Sequence, residues 1–206
     1  MTQYFEIHPD NPQVRLIRRA AELLKQGGVV VYPTDSSYAI GCRMDDKASL
    51  DRIRKIRQLD LDHHFTLLCL DIAQIAHFCR IDNASFRLIR SLTPGPYTFI
   101  LQATREVPKR LVHEKRKTLG IRIPSHEVTR ALVTELGEPV YSTSLIMPGE
   151  TEALTDPEQI RETLQGRADL ILASGSVPSD ETTVVDLTGD VPEVVRQGKG
   201  SVDFLQ

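Results

Sequence analysis

Apolar positions recur along this chain in two alternating periods. Leu16, Ile17, Ala20, Leu23 and Leu24 fall three and four apart between Asn11-Pro12 and Gly27-Gly28. That spacing predicts an amphipathic helix capped at Asn11 and ended by the glycines. The run Val29 to Tyr32, closed by Pro33, predicts a buried strand that ends in a loop, and Tyr38 to Cys42 predicts a second strand. Leu50, Ile53 and Ile56 share one face of a helix over residues 47–57, with Arg52, Arg54, Lys55 and Arg57 spread over the rest of it.

The same reading continues to the end of the chain. Strands are predicted at Phe65 to Leu70, Tyr97 to Gln102, Leu119 to Ile123, Val140 to Ile146, Leu170 to Ala173, Thr183 to Leu187 and Val194 to Arg196. Short helices are predicted at Ile72 to Cys79 and Asn83 to Leu92, and a further one capped at Ser125 and ended by Gly137. Thr93-Pro94-Gly95-Pro96 reads as a turn, and Met147 to Asp156 as the most mobile loop. Strands and helices alternate without a linker or repeat, which predicts one layered α/β domain over residues 1–206.

Composition supports a sizeable core: 206 residues, 40% of them hydrophobic. No apolar leader and no stretch of about eighteen apolar residues occurs, so the expectation is a cytoplasmic protein with no membrane span. Cys42, Cys69 and Cys79 form no C-x-x-C pair, and no H-E-x-x-H is present. Neither a disulfide framework nor protein-bound zinc is expected.

Charge adds a contrast that the net value of −3 hides: residues 1–130 hold 21 Lys+Arg against 14 Asp+Glu, and residues 131–206 hold 4 against 14. Such a division either places a basic, phosphate-attracting surface on one side of the fold or is diluted where the halves interleave.

Three segments carry candidate chemistry. Pro33-Thr34-Asp35-Ser36-Ser37 follows a buried strand, where open α/β sheets place ligands; it reads equally as a turn in which Asp35 and Ser36 bond their own backbone. Lys55 and Arg57 together suit a polyphosphate, and equally suit a solvated helix end. The densest basic run holds Lys109, Arg110, Lys115, Arg116 and Lys117; it has phosphate-binding potential for RNA, or forms a charged surface loop. Phosphate loops of the G-x-x-x-x-G-K-[ST] and G-x-G-x-x-G kinds are absent.

Order makes these fragments specific. Gly27-Gly28 through Pro33-Thr34-Asp35 to Gly41-Cys42, Lys55-Ile56-Arg57, Pro94-Gly95-Pro96-Tyr97-Thr98, Gly120-Ile121-Arg122-Ile123-Pro124, Ser142-Thr143-Ser144, Thr182-Thr183-Val184-Val185-Asp186 and Arg196-Gln197-Gly198 follow one another. In that order they resemble the YrdC/YciO family across nearly the whole chain. The resemblance implies a three-layer domain with a twisted mixed β-sheet flanked by helices and a basic concave face that binds nucleotides and double-stranded RNA or tRNA. It also implies the synthesis of threonylcarbamoyl-AMP from L-threonine, bicarbonate and ATP, in tRNA modification.

Carried onto this chain, the resemblance places Thr34, Arg122 and Ser142 on the threonine, with Lys55 and Arg57 on the ATP phosphates in the catalytic role. Thr118, Ser144, Thr183 and Arg196 complete the nucleotide site, ATP or AMP being the ligand, and Mg²⁺ arrives through the ATP phosphates. Three departures stand out: Ser36-Ser37-Tyr38-Ala39 where the family shows Thr-x-Tyr-Gly, Ile146 where it shows the Asn of Ser-x-Asn, and Cys69 where many members place a histidine. They resemble the YciO branch and imply weak or altered synthase chemistry. A full synthase and a non-catalytic RNA-binding module are the alternatives.

Overall fold

Alternate residues of the central strands belong to different halves of the core. Val29 and Val31 join one apolar cluster while Val30 and Tyr32 join another. Ile171 separates from Leu170 and Leu172 in the same way. Such alternation is what a strand buried on both faces requires. The computed structural model describes residues 1–60 and 63–205 and places these strands in one sheet.

The strands are β1 (Gln3–Glu6), β2 (Val30–Pro33), β3 (Tyr38–Arg43), β4 (Thr66–Leu68), β5 (Tyr97–Gln102), β6 (Thr118–Arg122), β7 (Val140–Ser144), β8 (Leu170–Ala173), β9 (Thr183–Asp186) and β10 (Glu193–Arg196). They lie in the order β1-β8-β2-β3-β7-β4-β6-β5-β9-β10. The sheet is mixed: β8 runs parallel to β1 and β2, and β4 parallel to β6, whereas β7 is antiparallel to both β3 and β4. The acidic half of the chain therefore threads β7 and β8 between strands of the basic half, and the charge contrast is interleaved rather than split across the fold.

Two helices, α1 (Val14–Lys25) and α5 (Glu127–Leu136), cover one face through Ile17, Ala20, Leu24, Val128, Leu132 and Leu136. Four others, α2 (Lys47–Arg57), α3 (Ile72–Phe78), α4 (Asn83–Leu92) and α6 (Pro157–Leu164), bring Leu50, Ile53, Ile75, Ile89 and Ile160 to the other. The result is the expected three-layer α/β arrangement. No helix among the described residues is long and apolar enough to cross a membrane.

Several boundaries move. Helix α1 starts at Val14 with Gln13 at its N-cap, because the Asn11 amide is taken by the His8 Nδ1 at 3.1 Å. Helix α5 is capped by His126 rather than Ser125, its Nδ1 accepting the Val128 N–H at 3.3 Å, and ends at Gly137 with φ 75°, where an L side chain would be strained. Strand β7 stops at Ser144. The loop after it folds back, so Ile146 bridges Ala153 and the Leu154 amide donates to the Leu145 carbonyl at 2.9 Å.

Candidate functional site

The face that α1 and α5 cover is open beyond β3. Val140 packs under α5, so Ser142 and Ser144, two and four residues on, point the same way past the end of that cover. On β6, Leu119 and Ile121 enter the opposite cluster and leave Thr118, Gly120 and Arg122 on the open face. Thr66 of β4, Thr98 of β5 and Val184 of β9 extend it. These residues floor a cavity of about 450 Å³. Apart from Arg122 and Val184, these floor residues are small or hydroxylated where the covered half carries Val, Leu and Tyr, which suits the floor to a polar ligand.

At one end of the cavity stands the loop after β2. The Thr34 hydroxyl donates to the Ser37 carbonyl at 2.7 Å and accepts the amides of Ser36 and Ser37 at 3.2 Å. Thr34 thus makes the turn, while Asp35 and Ser36 reach across the sheet instead of bonding their own backbone. Arg122 donates to the Asp35 carboxylate at 2.6 Å and to the Ser36 hydroxyl at 2.9 Å. The Arg122 Nε and Asp35 Oδ2 are buried without partners. Behind them Tyr32 is fully buried and donates to the Ser142 hydroxyl at 2.7 Å. Burial lifts the Tyr32 phenol well above its ordinary value, so it stays a donor.

Arg57, the last residue of α2, lines the cavity from the side. Its Nε donates to the Ile146 carbonyl at 2.5 Å and its Nη1 to the Thr143 hydroxyl at 2.8 Å, which also meets the His63 ring at 3.1 Å. Desolvation pulls the guanidinium down to about 10, still fully charged near neutrality. No carboxylate among the described residues pairs with it. Lys55 is exposed and does not line the cavity. Residues two apart on a helix point to different sides, so the pair separates.

The far wall comes from the segment before β9 and the end of β10. Arg196 bonds the Thr182 carbonyl at 3.0 Å and Glu181 at 2.9 Å, and lines the cavity. Thr183 is buried behind that wall, its hydroxyl donating to the Gly200 carbonyl at 2.6 Å and accepting the Gly198 amide at 3.0 Å. Lys199 closes the rim, meeting the Asp35 carbonyl at 3.0 Å and Asp180 at 3.2 Å.

The basic run divides. Arg116 faces the cavity with Asp186 at 2.7 Å; Arg110 donates to the Asp45 carbonyl at 2.6 Å; Lys117 donates to the Glu114 carbonyl. Lys109 and Lys115 are exposed on the surface beside them. Burial would raise the Asp186 carboxyl, but Thr188 and Arg116 outweigh it and hold it below the usual range. Between this run and Arg57, the rings of His64 and His113 stack at 4.9 Å at the cavity wall.

The Sua5/YciO/YrdC family model, whose description is telomere recombination, matches residues 22–198. The chain belongs to the Sua5/YciO/YrdC family. It is 52% identical to the YciO protein of Escherichia coli over 98% of both chains, and the crystal structure of that protein superposes with a TM-score of 0.94. It is 30% identical to the threonylcarbamoyl-AMP synthase of Vibrio vulnificus over 76% of this chain and 84% of that one. The structure of P. abyssi Sua5 complexed with L-threonine shares the fold at a TM-score of 0.88 and 24% identity, covering 96% of this chain and 58% of the other.

Within the Sua5/YciO/YrdC frame, the departures have definite places. Ile146 lines the cavity with no polar side-chain atom to offer, while its carbonyl holds Arg57. Cys69 lies in the core cluster on the opposite face of the sheet, its thiol pushed up by burial. Ser36 keeps a hydroxyl, and Arg122 uses it. The cavity also contains Thr66, which lies in no quoted motif, and Thr98, Thr143 and Thr182, which lie within the motifs but carried no assigned role. For Thr66 and Thr98, a polar residue among the apolar residues of a strand was the visible signal. Among the described residues, no cluster of three or more His, Cys, Asp or Glu is arranged to hold a metal ion.

Proposed function

We propose that the cavity binds an adenine nucleotide, ATP or AMP, and that the protein carries out at most weak or altered threonylcarbamoyl-AMP synthase chemistry. The supporting observation is Arg57: a half-desolvated guanidinium at the cavity wall whose own partners are a carbonyl and a hydroxyl, leaving its charge for an anion. Phosphate oxygens would meet Arg57 and the hydroxyls of Ser142, Ser144 and Thr118, with Arg196 and Arg116 on the opposite side. Mg²⁺ would ride on the phosphates.

One departure supports the reduced chemistry: Ile146, where the family shows an Asn, offers no side-chain hydrogen bond to an acyl or phosphoryl group. Calorimetry with Mg·ATP and AMP, followed by a pyrophosphate-release assay with L-threonine and bicarbonate, tests the proposal. Nucleotide binding with little threonine-dependent release is expected; release at the rate of a competent synthase would overturn it in favour of the full enzyme.

The exposed Lys109, Arg110, Lys115 and Lys117 beside the cavity favour a second reading, in which double-stranded RNA or tRNA lies across its mouth. Binding that falls steeply with salt and with charge removal at Lys109 and Lys115 is its signature; unchanged binding after those substitutions would discard it.

A further inference from the structure

We infer that the cavity selects a nucleotide carrying one phosphate over a nucleoside triphosphate, and that Glu152 is a determinant of that choice. This inference rests on the nucleotide reading of the cavity and concerns its charge balance. Most of the cations there are already matched: Arg116 by Asp186 at 2.7 Å, Arg122 by Asp35 at 2.6 Å, Arg196 by Glu181 at 2.9 Å and rim Lys199 by Asp180 at 3.2 Å. Taken over the described residues, that leaves Arg57 as the cation with only neutral partners and Glu152 as the lining carboxylate without an ion pair.

The backbone beside Glu152 is held, while its side chain is exposed at the cavity wall. Its neighbour Ala153 bridges Ile146 and accepts from the Ser179 hydroxyl at 3.3 Å, and the Leu154 amide donates to the Leu145 carbonyl at 2.9 Å. The returning loop therefore sets the backbone from which this exposed carboxylate lines the cavity.

A monophosphate brings about two negative charges at neutral pH and a triphosphate about four. Arg57 and the wall hydroxyls suit the first. The additional charges of the second meet Glu152 and carboxylates already engaged with arginines, and no further unmatched arginine or lysine among the described residues of the cavity offsets them. Mg²⁺ on the triphosphate cancels about two of those charges, so ATP binding should depend on Mg²⁺ and AMP binding should not.

Calorimetry on the full chain at constant ionic strength, first with EDTA and then with Mg²⁺, tests this with AMP and ATP on the wild type and Glu152→Gln. AMP should bind about tenfold more tightly than Mg²⁺-free ATP, and Glu152→Gln should narrow that ratio about threefold by improving ATP. Mg²⁺-free ATP binding as tightly as AMP, or a ratio unmoved by Glu152→Gln, overturns the inference while leaving nucleotide binding intact. Binding of neither nucleotide in either buffer overturns the nucleotide reading itself and this inference with it.

Discussion

Asp35 and Arg122, 87 residues apart in the chain, form a buried ion pair at 2.6 Å between the loop after β2 and the end of β6. Side-chain exposures of 8% for Arg122 and 13% for Asp35 leave little water to compensate either charge. Removing one partner strands the other. Asp35→Ala should therefore lower unfolding stability by about 3–5 kcal/mol, with Asp35→Asn losing less because an amide oxygen still accepts from Arg122. Urea unfolding monitored by circular dichroism measures both; equal, negligible losses would show that the pair is not structural.

Tyr32 spans from β2 to Ser142 on β7 by crossing over Gly41 of β3. A Cβ at Gly41 would sit 2.5 Å from the Tyr32 hydroxyl and 2.7 Å from a Val140 methyl. Tyr32→Phe should cost about 1 kcal/mol, the net worth of one buried hydrogen bond. Gly41→Ala should be more damaging, since it displaces the ring as well, and thermal unfolding of the two variants ranks them. The reverse order would mean that the strands adjust freely at this crossing.

His126 gives the fold a pH dependence with a defined sign. Burial pulls its imidazole below the ordinary value, against Asp35, Asp10 and Glu127, which raise it. The unfolded chain takes up this proton near pH 6.5, at about the unperturbed value, while the folded chain resists it. The contribution is therefore complete above about pH 6.5 and is lost as pH falls through the interval down to the lowered folded value. His126→Asn keeps an N-cap acceptor for the Val128 amide without titrating. Urea midpoints compared between about pH 7.5 and 5.5 should fall further for the wild type than for the variant; parallel losses would remove His126 as the cause.

The strand and helix periods were visible from residue spacing because both faces of the sheet are buried near β2, β3 and β8. Helix α6 was missed although Asp156 and Pro157 stand at its start as a cap and a first-turn proline. Strand β1 was missed because three half-buried residues and the exposed Glu6 at the sheet edge carry little pattern. The cavity was only partly legible. Arg57, Thr34, Thr118, Arg122, Ser142, Ser144 and Arg196 do converge on it, whereas Lys55 turns away and Thr183 lies behind the wall. No local pattern encodes the ion pairs Asp35–Arg122 and Arg116–Asp186, because register across the sheet creates them.

Arg57 and Lys55, two apart in the motif but divergent in space, provide the most direct test. Calorimetric titration of AMP into the wild type, Lys55→Ala and Arg57→Gln, with circular dichroism confirming that each is folded, separates the two side chains. Lys55→Ala should keep wild-type affinity within about twofold and Arg57→Gln should lose at least about tenfold, the scale of a charge-assisted hydrogen bond to phosphate. Undiminished AMP binding by a folded Arg57→Gln protein would contradict Arg57 as the phosphate contact.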